Sequence, residues 1–266
     1  MLRIMAKRSD KPDDRHYGGR GDPVRSMELL WRDRSAPARG RGPKPGLTVE
    51  RIVTAAIDLA DAEGLPALSM RRVAQRLGVG TMSLYTYVPG KAELIDVMFD
   101  TVCGEQDPIP WAEDWRERLE LIARSTLGMY RRHPWMLSVM ANSRPPLGPN
   151  SIANYDRDLR AVDGLGLTDL EMDSVVTMLA VYVQGAANTV VEAASTEPAT
   201  GVSDQEWWET YGPLLAKVFD AEKYPTAARI GAVAGETYQS AYDPDHGFEF
   251  GLTRLLDGVA ALIASR

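Results

Sequence analysis

The chain of 266 residues holds a single cysteine, Cys103. It can form no disulfide within itself and no metal site built from several cysteines. Such sparing use of cysteine fits a reducing compartment, and the cytoplasm is the expected location. Histidine is almost as scarce, with three in all, and none falls in an H-x-x-x-H or H-E-x-x-H pattern, so no protein-built metal site is expected. Enzyme signatures are missing as well: there is no G-x-S-x-G, no phosphate-binding P-loop and no G-x-G-x-x-G. No enzyme and no cofactor is therefore expected. No run of about 18 uncharged apolar residues occurs, so no membrane partner is expected.

The net charge is −7, which on its face argues against an anionic partner. The charge is unevenly divided, however. Residues 1–46 carry 12 Lys and Arg against 6 Asp and Glu; residues 47–100 carry 5 against 7; residues 101–266 carry 13 against 24. Opposite signs at the two ends suggest a division of labour, one part for an anionic partner and the other for something else.

Three segments follow. Residues 1–46, rich in Arg, Gly, Pro and Asp, read as a disordered basic arm, able to add nonspecific phosphate contacts. The arm has no apolar core and so does not read as a signal peptide; Met27 offers an alternative start. Residues 47–103 read as a compact helical unit. Thr48 is a suitable N-cap for a helix bearing Ile52, Ala56, Leu59 and Ala60 on one face. That helix ends at Glu63-Gly64, with Gly64 suited to a left-handed position. Ser69 caps a second helix with Met70, Val73 and Ala74. Leu77-Gly78-Val79-Gly80 is a tight turn, Thr81 to about Tyr87 a third helix, and Lys91 to about Cys103 a fourth. Residues 104–266 are predicted to be mostly helical, with a loop at Arg144–Asn150. D-x-x-E at Asp114 and capping boxes at Thr168 and Ser203 mark three helix starts, the second opening a long helix to about Ala194. A closing helix is predicted from about Asp245 to Ala264.

Two short helices joined by a glycine-containing turn are the helix-turn-helix pattern. Its second helix must be short and free to enter a major groove. Here that helix presents Thr81, Met82 and Ser83, with Tyr85 and Tyr87 able to reach phosphates or a thymine methyl. Lys91 begins the next helix, where its ammonium and the helix amides could both meet a phosphate. Arg71, Arg72 and Arg76 lie in the preceding helix. Helix–turn–helix pairs also occur in all-α proteins that bind no DNA, so the pattern alone is not decisive.

The residues go further than the pattern. The spacing A-x-x-L-A-x-x-x-G-L from Ala56, the run S-M-R-R-V-A-x-x-L-G-V from Ser69 and L-Y-x-Y-V-P-x-K-x-E-L from Leu84 resemble the N-terminal domain of the tetracycline-repressor (TetR) family. The resemblance spans the whole unit of about 50 residues. It implies double-stranded DNA as partner, with contacts from Arg71, Thr81, Met82, Ser83, Tyr85, Tyr87 and Lys91, and with Leu84 and Val88 in the core. Two positions depart from the family: Gly80 stands where many members carry Ser or another capping residue, and Tyr87 where His or Phe is usual. Base preference is not carried over at those positions.

The C-terminal part resembles the family's ligand-binding and dimerisation domain in helix order and in its closing apolar helix. The implied whole is an all-α protein: an N-terminal three-helix helix-turn-helix domain and a larger C-terminal helical domain. The implied function is a ligand-responsive repressor that releases a palindromic operator when a small-molecule effector, apolar or aromatic, binds. Such a repressor is a homodimer. The long helix from Asp169, with Val175, Val176, Leu179, Val183, Val190 and Val191, and the closing helix are the candidate dimer elements, forming an intersubunit four-helix bundle. Trp135, Tyr155, Met178 and Tyr182 are the candidate ligand residues, although ordinary core is the plainer reading for any one of them. The alternative from another class is a small-molecule-binding protein whose helix-turn-helix is vestigial.

Overall fold

A computed structural model describes residues 21–32, 46–105, 112–140 and 145–266. All regular structure among them is helical, twelve α-helices and one 3-10 turn. The chain forms two compact units: residues up to 104 with 138–151, and residues 105–137 with 152–266. Most of the predicted basic arm lies outside the described residues, but one part of it does not fit the expectation. Residues Pro23–Leu30 form a helix, α1. The Asp22 carboxylate caps it, accepting from the Val24 amide at 2.9 Å, and Pro23 stands in the first turn, where its missing N–H costs nothing. Leu29 and Leu30 are buried.

In the first unit the expected helices follow. Helix α2 (Val49–Glu63) starts at Thr48, whose hydroxyl accepts from the Arg51 amide at 3.3 Å. Its end differs from the expectation. Gly64 has φ 78° and ψ 162°, a positive φ but not the left-handed helical conformation, because the chain turns at once into a 3-10 turn, Leu65–Ala67. Helix α3 (Met70–Leu77) is capped by Ser69, and Gly78 closes it in the left-handed conformation at φ 67°, ψ 32°. Helix α4 (Thr81–Tyr85) is shorter than predicted, while the amides of Tyr87 and Val88 still reach back to the Leu84 carbonyl at 2.9 Å each. Helix α5 is Lys91–Cys103. Ile52, Leu68, Val73, Leu84, Val88, Leu94, Met98 and Val102 form the unit's core. Each large apolar side chain so buried contributes about 1.5–3 kcal/mol before chain entropy is counted.

Three acids of α5 are buried rather than solvated, and each is satisfied. Glu93 accepts from the Asp22 amide at 2.9 Å, and Asp96 from the Ser26 hydroxyl at 2.9 Å. These bonds and the apolar face of α1 hold α1 against α5. Asp100, fully buried, accepts from the amides of Asn150 at 3.0 Å and Ser151 at 2.9 Å. Those amides lie in the first turn of α8 (Pro149–Arg160), where helix N–H groups have no partner within the helix. Gly148, just before, lies so close to the Asp100 carboxyl that a side chain would collide with it.

In the second unit, α6 (Trp115–Arg132), α9 (Asp169–Thr200) and α12 (Pro244–Ala264) pack together. Leu119, Ile122, Leu127, Val175, Leu179, Val183, Leu252, Leu256 and Val259 are buried. Ion pairs run along α6 and α12: Arg116 to Asp257 at 2.7 Å, Arg124 to Glu249 at 2.9 Å, and Arg131 to Asp245. Arg116 holds the Asp257 carboxyl below the usual range, chiefly by a hydrogen bond. Helix α9 runs beyond the predicted end at Ala194, to Thr200, with Pro198 inside its last turn. Among the described residues it is the one helix long and apolar enough to cross a membrane by length and composition. No such run was expected. Its uncharged stretch is interrupted by Ser, Thr, Gln and Asn rather than by charge, and its buried side chains pack within the unit. Helix α7 (Trp135–Val139) and helices α10 (Asp204–Val218) and α11 (Pro225–Tyr238) complete the set. The sequence reading did not anticipate α11. Helix α10 buries no residue and α11 only Gly235, against which the Trp208 indole leaves no room for a side chain.

Candidate nucleic-acid interface and the helical second unit

Leu84 and Val88, both 0% exposed, anchor α4 in the core. The rest of the short helix is thereby turned outward. Met82 is 77% exposed and Tyr85 44%; Ser83 and Thr86 are exposed, and Thr81 and Tyr87 partly so. Lys91, also partly exposed, is the first residue of α5. The singled-out positions from Thr81 to Lys91 thus share one surface segment of the first unit, while Arg71 lies on α3.

The four cations bracketing α4 are not equivalent, which the sequence did not reveal. Arg72 donates to Glu63 at 2.5 Å and to the Ala67 carbonyl at 3.3 Å. The hydrogen bond between them lowers the Glu63 pKa and raises that of Arg72. Arg76 donates to Asp58 at 3.3 Å. Arg71 is exposed and forms no ion pair among the described residues. The acids of α2 therefore occupy two of the arginines of α3 and leave Arg71 open to an anionic partner.

Three of the four candidate ligand residues of the second unit are already engaged. Trp135 is 3% exposed and meets His133 edge-on, with ring centroids 6.3 Å apart. Tyr155 donates to Asp173 at 2.7 Å, a bond that raises its pKa. Tyr182 donates to the Phe248 carbonyl at 2.7 Å and stacks on the Phe248 ring; burial raises its pKa. Met178, on the exposed side of α9, lies one turn from Tyr182. Three clefts of this unit are lined by other residues. One of about 490 Å³ lies between α10 and α11, bordered by Trp208, Gly212, Gly231 and Gly235. Another of about 250 Å³ is bordered by Glu192, Thr196, Trp207 and Tyr242, and a third, of about 300 Å³, lies along α11 at Ile230 and Val233.

Of the residues named for a dimer interface, Val175, Val176, Leu179, Val183 and Val190 are buried within the subunit itself. Exposed large apolar side chains lie on α10 (Tyr211, Leu214, Leu215, Val218) and α11 (Ile230, Val233), and also on the candidate dimer helices, at Leu170 and Val181 of α9 and Phe250 of α12.

A helix-turn-helix unit with an outward second helix, followed by a separate all-helical unit, defines a two-part DNA-binding regulator. Residues 52–98 match the family described as bacterial regulatory proteins, tetR family, and residues 107–263 match the tetracyclin repressor-like C-terminal domain. The chain is 45% identical over 251 residues to the HTH-type transcriptional repressor DrrR1 of Streptomyces coeruleorubidus, covering 93% of this chain and 89% of that protein. The crystal structure of apo ActR from Streptomyces coelicolor superimposes with a TM-score of 0.67 at 31% identity, covering 82% of this chain and 97% of ActR. ActR in complex with actinorhodin gives the same TM-score, identity and coverage. The chain belongs to the TetR family. It is a ligand-responsive, DNA-binding transcriptional repressor.

Proposed function

We propose that this repressor acts in the cytoplasm as a homodimer that presents two α4 segments to successive major-groove faces of a palindromic operator, about 34 Å apart. In each subunit Tyr85, Tyr87, Lys91 and Arg71 hold the phosphate backbone or a base edge, and Thr81, Met82 and Ser83 enter the groove. The observation that carries this reading is the outward face of α4, fixed by Leu84 and Val88, with Arg71 of α3 exposed and in no ion pair among the described residues. A second copy of the chain covers exposed apolar side chains of α10 and α11, among them Tyr211, Leu214, Leu215, Val218, Ile230 and Val233, which are costly to leave in water.

The effector is a small apolar or aromatic molecule bound in the second unit. ActR, 31% identical, has been crystallised with actinorhodin, which supports a small-molecule effector here. Trp135, Tyr155, Met178 and Tyr182 remain the candidate contacts, of which Met178 and Tyr155 are exposed. Trp135 is packed away, and Tyr155 and Tyr182 are each tied by a hydrogen bond, so a ligand engages these three only with rearrangement. Such a ligand lowers DNA affinity only to the extent that it binds the DNA-free conformation more tightly.

A gel-shift assay against the DNA upstream of its own gene, with actinorhodin as the probe effector, tests this reading. A specific fragment retarded at moderate salt and released by the probe is the expected result. Retardation without release discards this effector class. No specific retardation discards the operator reading and leaves a small-molecule-binding protein with a vestigial helix-turn-helix.

A further inference from the structure

From Gly78 to Gly90 the chain has no charged residue and no Asn, Gln or His. That absence limits what α4 can read. In the major groove, guanine is read by the paired donors of Arg or Lys, adenine by Asn or Gln, and cytosine by a carboxylate. None of these groups is available on α4. The groove offers one apolar feature, the 5-methyl group of thymine.

Met82 matches that feature. It is the second residue of α4, near the end of a recognition helix that meets base edges. At 77% exposure it is the most exposed large hydrophobic side chain of the first unit, on a helix whose opposite side, at Leu84, is fully buried. Its thioether chain is unbranched and flexible, suited to an irregular apolar contact. Tyr85, one turn on and 44% exposed, and the hydroxyl residues Thr81 and Ser83 surround it with groups that impose no guanine or adenine preference.

The geometry points to a thymine-reading contact: the Met82 side chain packs on the 5-methyl group of a thymine in each half-site. This inference rests on the operator reading above and deepens it. It makes thymine, at the position facing Met82, a determinant of operator choice.

The test uses the full-length protein. A pool of duplexes randomised over about 20 base pairs, enough for two half-sites one helical turn apart, is enriched by repeated binding. The selected duplex is then resynthesised with deoxyuridine replacing each thymidine in turn, which removes the methyl group and leaves base pairing intact. At one position per half-site the wild-type protein should lose affinity about fourfold, and about fifteenfold when both half-sites are changed, as expected for the loss of one or two buried methyl groups. Met82→Ala should bind the two duplexes equally, and Met82→Leu should restore the discrimination. Because Met82 is exposed, neither variant threatens folding.

If uracil is tolerated everywhere by the wild-type protein, or if Met82→Ala still discriminates, the contact is refuted while the operator reading stands. An enriched half-site without a fixed thymine has the same meaning. If the pool yields no enriched sequence, the operator reading falls and this inference with it.

Discussion

Asp100 offers a direct test of how the first unit is held together. Its carboxylate is fully buried on α5 and accepts from the amides of Asn150 and Ser151 at 3.0 and 2.9 Å, from the Ser151 hydroxyl at 3.1 Å and from the Asn150 side-chain amide at 3.2 Å. It caps α8 from another helix. Removing a capping side chain costs about 1 kcal/mol, and each buried donor left unpaired costs about 1–3 kcal/mol. Ser151 and Asn150 are partly exposed, so water restores some of their bonds and the sum is not reached in full. Asp100→Ala should therefore destabilise the protein by about 3–4 kcal/mol. At about 2–4 °C per kcal/mol for a chain of this size class, the midpoint should fall by about 10 °C. Asp100→Asn keeps one acceptor oxygen but turns an N–H₂ toward donors, and should lose about half as much. Asp58→Ala is the control, because Asp58 and its partner Arg76 are both about half exposed and such a pair is worth under about 1 kcal/mol. Circular dichroism at 222 nm during heating reads all three. An Asp100→Ala midpoint within about 2 °C of wild type, or no lower than that of Asp58→Ala, would refute the account of α8 as capped from α5.

Three further outcomes are expected. Tyr85→Ala and Lys91→Ala should each weaken operator binding while sedimentation shows the same assembly. Lys91→Ala should also lower the salt slope by about 2 for two subunits, and wild-type affinity in both variants would remove these residues from the interface. Replacing Arg34, Arg39, Arg41 and Lys44 together by Gln should weaken binding and flatten its salt dependence without changing the preferred site; an unchanged slope would end the idea that this arm meets phosphates. That variant is preferable to deleting residues 1–40, which would also remove α1 and its buried Leu29 and Leu30. Finally, Ile230→Glu combined with Val233→Glu on α11 should convert dimer to monomer in analytical ultracentrifugation, and a dimer that persists would place the interface elsewhere.

The elements that were legible in the sequence are those whose ends carry their own signals. Thr48, Ser69, Thr168 and Ser203 each cap the helix they were expected to cap, since side-chain oxygens at these positions satisfy amides that nothing else can reach. Helix α1 was hidden by its setting. Eight residues between Arg-, Gly- and Pro-rich stretches show little periodicity, and its burial depends on α5, far along the chain. The Asp22-Pro23 pair was the usable signal, a cap followed by a proline in the first turn. Helix α11 carried a similar one in Pro225. The candidate ligand residues were illegible for a different reason. Aromatic side chains look alike in sequence whether they close a core, as Trp135 does, or remain partly accessible, as Tyr182 does. Only the packing around each ring in the folded chain separates the two.

The same distinction resolves the charge. A net −2 over residues 47–100 argues on its face against DNA binding, yet most of the seven acids there are paired or buried. Glu63 and Asp58 are paired with Arg72 and Arg76. Glu93, Asp96 and Asp100 are buried on α5, where they accept hydrogen bonds from α1 and from the start of α8. On α3, Arg71 is exposed and forms no ion pair among the described residues, and Lys91, partly exposed, is the first residue of α5. The proposed DNA-facing surface would draw its affinity from a few cations and its selectivity from shape and apolar contact. Its discrimination should therefore survive added salt better than its affinity does, because salt weakens phosphate contacts and leaves the packing of a methyl group unchanged.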